Sequence, residues 1–180
     1  MKKTLLGTIV AVAFSSAVLP ASASNGTITI NGTINDNTCV AKVNGTDKDA
    51  TVTLNPLNAS SLATPGSTAG YATFTIGLTG CGTATNKVNA FFEPGSTVDM
   101  STGRLNNEAT GNTAAGNVQI ELLNKNGGII QVGDTVSARA VQETIANGTA
   151  TMKYGVRYYA KDTVTAGQVS TRVTYSIEYN

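Results

Sequence analysis

The chain of 180 residues has no histidine and no tryptophan, two cysteines, four prolines, six tyrosines and four phenylalanines. Without histidine it lacks the commonest general base, the Ser-His and Cys-His nucleophile pairs and most transition-metal sites. Most hydrolase chemistry goes with them. Charge is also sparse, at 13% of residues, and balanced at 12 basic against 11 acidic side chains. No field of one sign is available to gather nucleic acid or an anionic membrane. Helix formers such as Leu, Glu, Lys and Gln are few, whereas Thr is the most frequent residue and Gly and Asn recur throughout. That composition favours strands joined by many turns.

Met1, Lys2 and Lys3 form a positive start, Leu5 to Phe14 is an apolar run, and Ala21-Ser22-Ala23 carries small residues at the positions a signal peptidase reads. Residues 1–23 are therefore expected to be a signal peptide cleaved between Ala23 and Ser24. A membrane anchor is the alternative, but the run is short for a bilayer and no second apolar segment of spanning length follows. Cleavage leaves 157 residues, enough for a single core, and removes two lysines, so the formal charge passes from +1 to −1. In an oxidising compartment Cys39 and Cys81 most simply form one disulfide. Closing a loop of roughly 40 residues contributes on the order of 4 kcal/mol in the chain-entropy account. A redox role is disfavoured by their separation and by the absence of a C-x-x-C pair.

Period-two alternation is clearest in three places. Ala72, Phe74, Ile76 and Leu78 share a face, as do Met152, Tyr154, Val156 and Tyr158, and Val169, Thr171, Val173, Tyr175, Ile177 and Tyr179. Shorter strands are expected at residues 51–54, 88–92, 118–123 and 129–132, separated by turn clusters such as Glu93-Pro94-Gly95 and Asn126-Gly127-Gly128. No helical period is sustained, and residues 141–146 are the one place where a single turn is expected. The Gly, Asn, Thr and Ala stretch between Met100 and Asn117 reads as a surface loop.

Many short strands, regular turns and one disulfide point to an antiparallel sandwich. An eight-stranded outer-membrane barrel is the alternative, although ten aromatics are few for two interfacial girdles. A sandwich exposes strand edges, and edges with alternating apolar residues are templates for another chain. Two segments have that character. In residues 25–35, Ile28, Ile30 and Ile34 share a face with Gly32, ahead of the first cysteine. This is either an ordinary first strand or a movable one. The second is the terminal run, which ends one residue before the chain does, leaving no further sequence to pair beside it.

These features together resemble the structural subunits of chaperone-usher pili, in particular the type 1 fimbrial major-subunit family, over the whole chain. The resemblance is carried by the signal peptide, by Thr27-Ile28-Thr29-Ile30-Asn31-Gly32-Thr33-Ile34 ahead of Cys39, by Leu78-Thr79-Gly80-Cys81 and by Val156-Arg157-Tyr158-Tyr159-Ala160. It is also carried by a terminal strand with Gly167 fourteenth from the end and Tyr179 penultimate. It implies an all-β, incomplete immunoglobulin-like sandwich lacking its last strand and completed by a donated one. Residues 24–38 would be the N-terminal donor extension and residues 39–180 the pilin domain. Ile28, Ile30, Gly32 and Ile34 would form the donor face. Gly167, Val173, Tyr175, Ile177, Tyr179 and Asn180 would form the acceptor groove and chaperone contact, with the terminal carboxylate of Asn180 anchored by the chaperone. Main-chain bonds along the edge would supply affinity and alternate side chains specificity, each buried Ile contributing roughly 1.5 to 3 kcal/mol.

The implied partners are neighbouring pilin subunits, a periplasmic chaperone, an outer-membrane usher and other fimbrial subunits, with no nucleic acid and no cofactor. The implied destination is the fimbrium on the bacterial surface, reached through the periplasm. The expected function is a non-enzymatic structural subunit polymerising by donor-strand exchange. The alternative is a minor or adaptor subunit contributing to adhesion. Other motifs carry less. Asp47-Lys48-Asp49 reads as a solvated loop rather than an acid pair. Asn25, Asn31, Asn44 and Asn147 each begin Asn-Gly-Thr, formally a glycosylation acceptor and here read as turns. Lys153, Arg157 and Arg172 are too few to define an anion site.

Overall fold

The computed structural model describes residues 39–180. The signal cleavage point at Ala23 and Ser24 and the Ile28, Ile30, Gly32 and Ile34 face lie outside the described residues. Within them the chain forms β1 (Val40–Val43), β2 (Thr68–Thr79), β3 (Lys87–Phe92), β4 (Val98–Asp99), β5 (Arg104–Asn106), β6 (Val118–Asn124) and β7 (Ile129–Ile130). A short helix α1 (Thr135–Arg139) precedes β8 (Glu143–Thr144), β9 (Ala150–Ala160) and β10 (Tyr175–Tyr179). The larger sheet runs β1-β2-β9-β6-β5-β4, with β7 beside β6, and the smaller runs β10-β3-β8. Neighbouring strands pair antiparallel in both. Among the described residues neither sheet closes on itself, and the two pack as a sandwich rather than a barrel.

The alternation seen in the sequence becomes the core. Phe74, Ile76 and Leu78 of β2, Ile120 and Leu122 of β6 and Met152, Tyr154 and Val156 of β9 face Val88, Ala90 and Phe92 of β3, all buried. At the centre Phe92 stands edge-on to Tyr154, with ring centroids 5.2 Å apart, and Phe74 packs within 5.6 Å of Tyr154. Such contacts add about 0.5–1.5 kcal/mol to what area burial supplies. The Tyr154 hydroxyl accepts the Ala90 N–H at 2.9 Å and so ties the two sheets together. Burial pushes that phenol up to about 12.

The outer face of the larger sheet buries a charge. Glu121 is 1% exposed and holds Arg104 at 2.8 Å and Arg157 at 2.7 Å, and Arg104 also lies 3.6 Å over the Tyr159 ring. Both carboxylate oxygens are paired, which is what makes a buried carboxylate tolerable.

Five expectations change. Residues 51–54 alternate in burial but pair with no described strand, so they form an extended edge instead of a strand. Only Tyr175–Tyr179 of the terminal run is strand. Its pairing with β3 ends where Glu93 N–H meets the Thr174 carbonyl, beyond which the chain leaves the ladder for a turn in which Val98 N–H bonds back to the Gly95 carbonyl at 3.0 Å. Of residues 129–132 only Ile129–Ile130 pair in a strand. The expected turn at 141–146 is displaced upstream to α1, because the Asp134 side chain caps it by accepting the Val136 and Ser137 N–H groups, and residues 143–144 instead form β8. The stretch between Met100 and Asn117 is not a plain loop, since it contains β5, whose Leu105 is buried in the core.

Candidate strand-acceptor groove

Strand β10 has β3 on one side and no described strand on the other. Its hydrogen-bonding phase decides what that free side offers. Lys87 and Asn180 exchange both backbone bonds, at 3.2 and 2.8 Å, and Glu93 donates to Thr174 at 2.9 Å. Bonded and non-bonded pairs alternate along an antiparallel ladder, so Thr174, Ser176, Glu178 and Asn180 turn their backbone groups to β3. Tyr175, Ile177 and Tyr179 turn theirs outward. The phase continues upstream, where the Ser170 and Arg172 carbonyls accept from Glu108 N–H at 2.7 Å and the Thr97 hydroxyl at 2.8 Å.

Side chains follow the same alternation. Val169, Val173, Tyr175 and Ile177 are half-buried and pack on the core, and across from them Cys39, Ala41, Val52 and Leu54 are half-buried too. Two rows of apolar residues, neither fully covered, flank the core along one side of the sandwich. Tyr179 is 39% exposed at the end of the row. Thr171 lies in the same row, and its hydroxyl is buried without a hydrogen-bond partner, which is costly unless another group supplies one. The Cys39–Cys81 disulfide joins the start of the described chain to the residues following β2, across a sequence separation of 42.

The other face of β10 is held by polar side chains. Asn89 is fully buried, donates to Glu178 at 2.9 Å and accepts from Asn180 at 2.9 Å. Arg139 of α1 grips Glu178 through two bonds of 3.0 and 3.1 Å. Hydrogen bonds from Arg139 and Asn89 hold the Glu178 carboxyl below its usual range. On the groove side the Tyr175 hydroxyl donates to the Lys48 carbonyl at 2.9 Å. Burial first, then the nearby Asp49 charge, pushes that phenol up.

The structure places Val173, Tyr175, Ile177 and Tyr179 in one row and Asn180 at the end of the ladder. Gly167 stands apart from them. A Cβ there would come within 2.4 to 2.7 Å of the Ala114 and Ala115 backbone, so its role is close packing under the segment before β6. The opposite wall, Ala41, Val52 and Leu54, was not among the expected site residues. Its signal is the Thr51-Val52-Thr53-Leu54 alternation, which reads as an ordinary strand until its missing partner is seen. Asp47-Lys48-Asp49 is exposed as expected, and Asn44 and Asn147 take positive φ in turns. Arg157 and Arg172 are drawn to Glu121 and Glu108 rather than into one strip.

The family model described as type-1 fimbrial protein, A, matches residues 54–180. The chain is 40% identical over 171 residues to the major fimbrial subunit SMF-1 of Stenotrophomonas maltophilia, covering 92% of this chain and 99% of that protein. It is 41% identical over 177 residues to the F17 fimbrial protein of Escherichia coli, covering 95% of this chain and 94% of that one. Among solved structures it resembles the P pilus rod subunit PapA, with TM-score 0.56, 20% identity, and coverage of 86% of this chain and 100% of that one. A chain from a chaperone-usher pilus aligns with TM-score 0.58 and 20% identity over 92% of this chain and 100% of its own. These likenesses make the sandwich the immunoglobulin-like one of the pilins.

Proposed function

The chain belongs to the type-1 fimbrial protein family and is a structural subunit of a surface pilus, and we propose that its open edge is where a neighbouring subunit donates a strand. The observation that carries this reading is the outward phase of Tyr175, Ile177 and Tyr179. The residues whose backbone N–H and C=O groups face away from β3 are those whose side chains border the core. An added strand would gain main-chain bonds and apolar contacts from the same positions, which is how strand addition combines affinity with specificity.

The donor in this reading is residues 24–38 of another copy, with Ile28, Ile30 and Ile34 entering the gap between the walls and Gly32 crossing where the groove is shallow. Each buried Ile would contribute roughly 1.5 to 3 kcal/mol. Before assembly a periplasmic chaperone would occupy the edge and contact Asn180, and an outer-membrane usher would be the place of exchange, after export directed by residues 1–23. Nothing in the process is catalytic; the free energy comes from pairing and burial. The match to relatives named as major fimbrial subunits supports a shaft role over an adaptor one.

The test removes the donor and keeps the acceptor. A chain lacking residues 24–38 is expected to take up the intact chain's N-terminal segment and to terminate fibres. Sheared surface material, separated on denaturing gels without boiling, would then show no ladder of multimers from the truncated chain alone. A normal ladder from it would overturn the proposal.

A further inference from the structure

The two walls of the groove are not independent. Among the described residues one hydrogen bond joins them, from the Tyr175 hydroxyl to the Lys48 carbonyl at 2.9 Å across 127 positions of sequence. We propose that this bond is a latch across the groove, and that Tyr175 is a positioning residue setting how fast a strand enters. The proposal deepens the strand-acceptance reading and rests on it.

Both ends of the bond are firmly placed. Lys48 follows a tight turn in which Asn44 and Gly45 take φ of 51° and 76°, the geometry that Asn-Gly favours. Val43 N–H reaches the Asp47 carbonyl at 2.7 Å, and Asn44 holds Thr75 of β2 through both its backbone N–H and its side-chain oxygen, each at 2.9 Å. The loop is thus fixed to the edge of the larger sheet. Tyr175 begins β10, the edge of the smaller one, and its ring packs against the core. By the ladder phase its backbone N–H and C=O face outward. One residue therefore offers its main chain to an incoming strand while its side chain spans the gap that the strand's side chains must enter.

A bond made before strand entry and broken during it opposes entry and has no effect on departure from the filled groove. Its loss raises the association rate and leaves the dissociation rate alone, whereas a ring that served only as packing would alter dissociation. The occupant to which this applies is residues 24–38 of a second copy. Residues 24–38 carry one charged side chain, Asp36, and the Ile28 to Ile34 stretch carries none, as suits a face passing a loop that holds Asp47 and Asp49.

The experiment uses the mature chain purified from periplasmic extracts, stripped of any chaperone in denaturant and refolded as the unpolymerised monomer, with a fluorescent synthetic peptide of residues 24–38 as probe. Association and dissociation are followed by anisotropy for the wild type, for Tyr175→Phe, and for Ser176→Ala, whose hydroxyl lies on the other face against Glu93. Tyr175→Phe is expected to associate about fivefold faster, the net worth of one neutral hydrogen bond, with dissociation unchanged and Ser176→Ala like the wild type. Equal association rates for all three, with binding intact, would overturn the latch and leave strand acceptance standing. A change confined to dissociation would make Tyr175 a packing residue and also overturn it. If no chain binds the peptide, the strand-acceptance reading itself fails and takes the latch with it.

Discussion

Strands β9 and β10 are written in the same pattern and have different neighbours. Met152, Tyr154 and Val156 alternate as Val173, Tyr175 and Ile177 do, with a tyrosine at the centre of each triplet. Strand β9 pairs with β2 on one side and β6 on the other, and its triplet is at most 8% exposed. Among the described strands β10 pairs with β3 alone, and the triplet that leads into it from Val173 is half-buried. The tyrosines show what this difference does. Tyr154 ends its hydroxyl on a backbone N–H of the opposite sheet inside the core, and Tyr175 ends its own on a loop carbonyl at the rim. The same residue type secures a finished layer in one place and closes over an unfinished one in the other.

The sharpest way to break the comparison is to truncate the tyrosine of the finished layer. Tyr154→Ala removes the residue on which Phe74 and Phe92 converge and leaves the Ala90 N–H without its acceptor. The expected cost is about 3–5 kcal/mol, as for aromatic truncation in a closed core, read as a fall in the urea midpoint of the soluble protein. A cost below about 1 kcal/mol would mean that the centre of the sandwich lies elsewhere.

A more discriminating change is Ile177→Ala, because its cost depends on whether a strand is present. Half-buried, Ile177 is expected to lose about 1 kcal/mol on truncation, rising to about 2–3 kcal/mol once a strand covers it. Unfolding with and without saturating peptide of residues 24–38 measures the difference. Met152→Ala supplies the control, since a residue already enclosed gains nothing from the peptide. An identical cost for Ile177→Ala in both conditions would remove it from the groove.

What was legible in the sequence follows the same division. Period two fixes which side chains share a face, and it does so correctly for β2, β9 and β10. It is silent on how many strands lie beside each one. Residues 51–54 have a strand's alternation and no strand's partner, and residues 169–174 lose theirs where β3 ends and its chain turns away through Gly95 and Val98, an end whose place against them only the fold's register sets. The helix was misplaced for a related reason. Five residues are too few to show a period, and its true signal was the capping Asp134 just after Gly133. Glu121 lies in β6 between apolar neighbours on both sides, and nothing local in the sequence announces two arginines from different strands converging on it. The proposed donor segment reads in the sequence as an alternating Ile run and lies outside the described residues.

The smallest expected effect concerns the polar face of β10, where it differs from β9 again. Glu178 is held by Arg139 and Asn89, and because its folded pKa is depressed, the stability it adds is present above the ordinary carboxyl range. That contribution fades as pH falls through the lowered folded value. Arg139 is half exposed and Glu178 about one-fifth exposed, so solvent screening keeps the pair's contribution small. Glu178→Gln should therefore lower the melting temperature by a few degrees at pH 7 and leave it closer to wild type at pH 3. Because the clamp faces away from the groove, the variant should still bind the peptide of residues 24–38 at the wild-type rate. If peptide binding changes while stability does not, the two faces of β10 are coupled, and the separation of a finished polar face from an unfinished apolar one is wrong.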